Sequence, residues 1–114
     1  MKYKLLHNPR CRKSREGLQF LKSKKIEFET VLYLLNRLNK NQIEEIIDNS
    51  ELNPIDFVRK QEKIWKEMFK NKLLSKNQVI QAIFEHPKIM QRPIFISKNK
   101  SIIANPPENS LKIL

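Results

Sequence analysis

The chain predicts an α/β fold: a four-stranded mixed sheet flanked by helices, in the order β-α-β, helices, β-β-α. Three observations carry this. An apolar run is followed by a helical pattern and then an alternating run. Two capping boxes mark the middle as helical. Two β-rich runs separated by a three-residue turn lie near the C-terminus.

The first strand is expected over Lys2 to Leu6. The loop His7–Cys11 leads into a helix from Ser14 to Lys24, with Leu18 and Leu21 three apart, Phe20 beside them and a basic end. Ile26 to Leu34 reads as the second strand. Ile26, Phe28, Thr30, Leu32 and Leu34 form one face, alternating with Glu27, Glu29, Val31 and Tyr33. Two strands joined by a helix predict parallel pairing. Asn39-Lys40-Asn41-Gln42 is a capping box, after which Ile43, Ile46 and Ile47 line one face. Asn53-Pro54 opens another helix, with Ile55, Val58, Ile64, Trp65, Met68 and Phe69 giving it and its continuation an apolar surface. Ser75-Lys76-Asn77-Gln78 is a second capping box, and His86-Pro87 ends the helix that follows. Pro93 to Ser97 and Ser101 to Ala104 form a hairpin around Lys98-Asn99-Lys100, and Glu108 to Leu114 form a last short helix. The 114 residues suit one domain, with a helical insertion over about 39–86.

The only cysteine, Cys11, sits where the first strand feeds the first helix. Free N–H groups at a helix start favour negative charge, so a thiolate there is stabilised and its pKa falls. Arg10, Arg12, Lys13 and Arg15 add positive charge. The same loop suits a tetrahedral oxyanion beside the sulfur. A buried structural cysteine is the alternative use of a lone thiol, but its basic neighbours favour a reactive one.

The net charge is +11. Lysines are spread along the whole chain, with no RNP-like aromatic motif and no zinc-ligand spacing, so nucleic acid is not the expected partner and no metal is expected. Attraction of small anions fits the charge equally well. No apolar run reaches the length of a membrane span, and the N-terminus lacks a signal peptide's apolar core. A single reactive cysteine suits a reducing compartment, so the expected location is cytoplasmic.

A cysteine after the first strand, in this order of elements, is the thioredoxin-like arrangement. Pro93, opening the third strand, fits the cis-proline that faces the reactive sulfur in that fold. Further, His7-Asn8-Pro9-Arg10-Cys11-x-x-Ser14-Arg15 resembles the active-site loop of the glutaredoxin-coupled arsenate reductases. The likeness continues through Val31-Leu32-Tyr33-Leu34, Phe57-Val58-Arg59-Lys60, His86-Pro87, Gln91-Arg92-Pro93-Ile94 and Pro106-Pro107-Glu108-Asn109.

The resemblance implies that Cys11 attacks arsenate and that glutathione and then glutaredoxin resolve the adduct. It implies that His7 keeps the thiolate ionised, and that Arg59 and Arg92 bind the oxyanion. Ser14, one helical turn beyond Cys11, is expected to donate its hydroxyl to the sulfur. With one cysteine, the resolving thiol must come from outside, making glutathione a co-substrate; no tightly bound cofactor is expected, and a monomer is the default. The chain departs from the family at Asn105, where an arginine is usual, and Arg12 stands after Cys11 in place of a small residue as a candidate replacement cation. The alternatives are a thiol oxidoreductase with another substrate and an Spx-type regulator binding RNA polymerase. Ser14 removes the Cys-x-x-Cys switch that many such regulators carry.

Overall fold

A computed structural model describes residues 3–114, so Lys2, the expected first residue of the opening strand, lies outside the described residues. The chain forms two compact units, one reaching up to Asn36 and resuming at Arg92–Leu114, the other Arg37–Gln91.

In the first unit, β1 (Lys4–Leu6), β2 (Glu29–Val31), β3 (Ile94–Ile96) and β4 (Ser101–Ile103) form one sheet in the order β2-β1-β3-β4. β1 and β2 are parallel; β1–β3 and β3–β4 are antiparallel. This is the expected mixed sheet of a thioredoxin-like fold. Helix α1 (Arg12–Ser23) joins β1 to β2, and a 3-10 helix, Pro107–Ile113, packs against α1. Leu5, Leu21, Phe95 and Ala104 form the core between them, with Leu18, Phe20, Ile102 and Ile113 packed around it. The rings of Tyr3 and Phe95 stack at 5.3 Å.

β2 is much shorter than the expected Ile26–Leu34. It is an edge strand, and Thr30, placed on the expected apolar face, is exposed, whereas Tyr33 from the opposite set is buried. Alternation describes a strand only while the ladder lasts, and here it ends at Val31. α1 closes with a Schellman motif: the Ile26 N–H donates to the Leu21 carbonyl and the Lys25 N–H to Lys22. Lys25 takes the left-handed position, φ 59°, which glycine ordinarily fills.

In the second unit, α2 (Lys40–Asp48) and α4 (Lys76–Glu85) begin with the capping boxes read from Asn39 and Ser75, and they pack on each other. Ile43, Ile46 and Ile47 of α2 and Val79, Ile80 and Ile83 of α4 are buried. Lys76 reaches Asp48 at 2.6 Å and Glu44 at 3.7 Å, tying the start of α4 to α2. The helix expected after Asn53 is instead a 3-10 turn, Pro54–Phe57; α3 (Lys63–Met68) forms separately. Phe57 and Arg59 flank an isolated bridge, Val58–Met90: the Gln91 N–H donates to the Phe57 carbonyl and the Arg59 N–H to that of Ile89. Among the described residues, no helix is long and apolar enough to cross a membrane.

Candidate active site

The sheet register assembles the site. Leu6, the last residue of β1, pairs with Ile94 at the start of β3, which pairs with Ile103 at the end of β4. The loop His7–Cys11, Arg92-Pro93 and the stretch after Ile103 therefore meet at one end of the sheet. Both Arg92-Pro93 and Asn105-Pro106 are cis; the first was expected, the second not.

Cys11 is the N-cap of α1, with extended backbone angles and no side-chain capping bond. Its sulfur accepts from the backbone N–H groups of Ser14 and Lys13 and from the Arg92 guanidinium. Partial burial, the largest single influence, raises the thiol pKa, but the Ser14 N–H, Arg92's hydrogen bond and charge, and the Lys13 N–H together bring it below the ordinary thiol value. The backbone donors are the free N–H groups of the helix's first turn. Arg92 is buried.

Ser14 acts differently from expectation. Its buried hydroxyl accepts the Asn8 N–H at 3.0 Å and lies 2.7 Å from His7 Nδ1; it is the backbone of Ser14 that serves the sulfur. His7 is buried as well, and burial, then the charges of Arg15 and Lys22, lower its pKa. At neutral pH it is therefore the neutral imidazole and brings no positive charge to the thiolate. Its contribution is to hold Ser14 and, through it, the loop.

Two residues that the sequence did not single out shape this site. Asn8 binds the loop to itself: its side chain accepts the Arg10 N–H at 3.0 Å, its carbonyl accepts the Cys11 N–H at 3.0 Å, and its own N–H goes to Ser14. An asparagine before Pro9 is the local sign of such a turn. Gly17 lets α1 approach the cis-proline: a Cβ there would stand 2.5 Å from Pro93 Cγ. A lone glycine inside a helix, costly by about 1 kcal/mol against alanine, signals such packing.

Arg15 lies across the loop, donating to the Pro9 carbonyl at 2.9 Å. Arg12 is exposed and holds Glu16 at 3.1 Å. Asn105 is exposed, its carbonyl accepting from the Asn109 side chain. Arg59 belongs to the second unit, where its guanidinium lies 3.5 Å from Glu62. The first unit thus brings together Cys11, His7, Ser14 and Arg92. Among the described residues, no group of three or more His, Cys, Asp or Glu is placed to hold a metal ion.

Known proteins are similar to this chain over nearly its whole length. The uncharacterized protein YfgD of Escherichia coli K12 is 37% identical over 113 residues, covering 97% of this chain and 95% of its own. An arsenate reductase of Haemophilus influenzae is 34% identical over 112 residues, covering 96% and 97%. The solved structure of an arsenate reductase from Vibrio cholerae superposes with a TM-score of 0.92 at 31% identity, covering 100% of this chain and 98% of that one. The model of the ArsC family matches residues 6–113, which take in the cysteine loop, Arg92 and the cis-prolines, and the chain belongs to that family.

Proposed function

We propose that the protein is a monothiol arsenate reductase in which Cys11 is the nucleophile. The observation that supports this most is the sulfur itself: the chain's one thiol, held at a helix start by two backbone N–H groups and a buried guanidinium. Its thiolate attacks the arsenic of arsenate, forming an S–As bond while an arsenate oxygen leaves as water with protons from solvent. A glutathione thiolate then attacks Cys11 Sγ. The S–As electron pair stays on arsenic, which departs as arsenite, and Cys11 is left in a mixed disulfide with glutathione. A glutaredoxin thiolate takes the glutathionyl group and returns the Cys11 thiolate. The first attack leaves arsenic at +5; both electrons reach it in the second, as the Cys11 and glutathione sulfurs are together oxidised to the disulfide.

In this reading Arg92, which supports the thiolate, also neutralises the adduct, since one guanidinium donates in a planar fork. Arg59 is the second proposed oxyanion ligand and has to exchange Glu62 for the substrate. Arg12 has to exchange Glu16 in the same way before it replaces the charge absent at Asn105. The family likeness supports arsenate as substrate, through relatives such as the Haemophilus influenzae enzyme.

The test is arsenite production from arsenate with glutathione and glutaredoxin, comparing the native protein with Cys11→Ser. The expected result is turnover that the substitution abolishes. Absence of turnover in the native protein, with Cys11 still rapidly alkylated at neutral pH, would reassign the thiol to another substrate. Retention on RNA polymerase with no thiol activity would point to a regulator instead.

A further inference from the structure

The cations around Cys11 differ in what already occupies them. Arg92 is buried and hydrogen-bonds the sulfur. Arg15 donates to the Pro9 carbonyl at 2.9 Å, and Arg12 meets Glu16 at 3.1 Å. Arg10 and Lys13 are exposed, and among the described residues neither side chain has an acidic or hydrogen-bonding partner. Their backbone nevertheless holds both close to the sulfur. Arg10 directly precedes Cys11, and consecutive Cα atoms lie about 3.8 Å apart. Its N–H is fixed on the Asn8 side chain at 3.0 Å. Lys13 stands in the first turn of α1, where its N–H donates to the sulfur. From His7 to Arg15 the sequence carries no acid, and Glu16 beyond it is matched by Arg12.

We propose that Arg10 and Lys13 are specificity residues: among the thiols and disulfides that exchange with Cys11, they select small ones that carry carboxylates. The assignment rests on the thiol chemistry proposed above. A small group bonded to the sulfur keeps its charges within a few bonds of it, inside the screening length of about 10 Å at 0.1 M salt. It therefore feels the charge of both residues. Neither side chain has to leave a partner first, as Arg12 and Arg15 do. Cys11 is partly exposed, so the incoming group stays in contact with the solvent into which Arg10 and Lys13 are exposed. A carboxylate there meets uncommitted cations on the residues before and after the sulfur, whereas an ammonium group is repelled by both. Glutathione, a net anion, belongs to the favoured class. Neither side-chain charge is among the influences on the Cys11 thiol, so selection of the partner is separable from activation of the sulfur.

The test measures attack of the Cys11 thiolate on three small disulfides of similar size: dithiodiglycolate, an anion; hydroxyethyl disulfide, uncharged; and cystamine, a cation. In each, a bond forms between Cys11 Sγ and the nearer sulfur, and the farther sulfur leaves as a thiolate with the electron pair of the broken S–S bond. The readout is the rate with each charged disulfide divided by the rate with the neutral one, in the native protein, Arg10→Gln and Lys13→Gln. This quotient cancels any change in the reactivity of the sulfur itself. In both variants the quotient for the anion is expected to fall about two- to fivefold, as for an exposed ion pair, and that for the cation to rise. The double variant Lys98→Gln, Lys100→Gln removes exposed charges from the turn beyond Ile96, which pairs with Lys4 at the end of the sheet away from Cys11. It is expected to keep the native quotients. Native quotients in either Arg10→Gln or Lys13→Gln overturn the proposal, including when all three rates fall together, because the residue then acts on the sulfur. An equal shift in the Lys98, Lys100 variant also overturns it, because net charge then suffices. The outcome is independent of arsenate: a native protein that makes no arsenite, in which both substitutions shift the quotients, keeps the specificity residues and loses the reductase assignment.

Discussion

Replacing Ser14 by alanine separates the two jobs that meet at this residue. The hydroxyl serves two buried groups, the Asn8 N–H at 3.0 Å and His7 Nδ1 at 2.7 Å. Alanine leaves both without that partner where water does not reach. A buried polar group left unsatisfied costs about 1–3 kcal/mol, so the pair predicts a loss of about 2–6 kcal/mol, a large share of a small domain's stability of about 5–15 kcal/mol. Urea denaturation measures it. The Ser14 backbone N–H survives the substitution, and Arg92 and Lys13 are untouched, so the Cys11 thiol keeps its lowered pKa. Alkylation by iodoacetamide as a function of pH reads this directly. His7→Phe and the double variant complete a cycle, with a coupling of about 1 kcal/mol or more expected for groups in contact. The reasoning is refuted if Ser14→Ala leaves stability intact while the alkylation midpoint rises to that of a free thiol. The hydroxyl would then act on the sulfur itself.

Four further outcomes follow from the same geometry. His7 has a folded-state pKa below its ordinary 6.5, so stability is complete above pH 6.5 and is lost as pH falls through the lowered folded value; urea denaturation at stepped pH should show a slope of at most about 1.4 kcal/mol per pH unit from this group, absent in His7→Phe. Arg92→Met removes the hydrogen bond and charge that help lower the Cys11 pKa, so that pKa rises; loss of a charged hydrogen bond worth about 1.5–3 kcal/mol predicts about one to two decades in arsenate turnover by rate theory. Lys25→Gly relieves a side chain held at φ 59° and should stabilise the protein by about 1 kcal/mol in thermal or urea unfolding. Asn105→Arg places a guanidinium at the sheet end that carries Arg92, and arsenate kcat/KM should rise about tenfold, as for one added charged hydrogen bond; an unchanged value would remove position 105 from substrate binding.

The elements read from local chemistry are those that local chemistry decides. The capping boxes at Asn39 and Ser75 are satisfied within four residues, and both appear as expected. The helix stop at His86-Pro87 depends on a proline that lacks an N–H, and α4 ends there. Cys11 at a helix start follows from a strand and a helix adjoining a short loop. What the sequence did not show depends on distant partners. β2 is short because its ladder to β1 ends at Val31, a property of the pairing and not of residues 26–34. Asn53-Pro54 marks a helical start, yet the segment turns after Phe57 and enters a bridge with Met90. The role of Ser14 was legible in part: its spacing from Cys11 brings it to the sulfur, but His7 and Asn8, at the start of the loop, claim the hydroxyl and leave the sulfur to the backbone.

Activation of the sulfur and recognition of what it attacks are therefore set by different residues. The thiolate is supported by two N–H groups that any residues at positions 13 and 14 other than proline would supply, and by Arg92, which enters β3 opposite the end of β1. These contacts form whenever α1 starts at Arg12 and Leu6 pairs with Ile94, so a reactive Cys11 comes with the fold. The charge around it is held by side chains on the rim. Arg12 faces Glu16, Arg15 lies on the Pro9 carbonyl, and Asn105 sits exposed beyond β4. Each of these can change without disturbing the ladder or the helix start. A chain that keeps the cysteine loop and Arg92 but carries a neutral residue at position 105 thus keeps every contact that supports its thiolate. Thiol reactivity and arsenate turnover are for that reason separate measurements on this protein, and the first is the one the backbone secures.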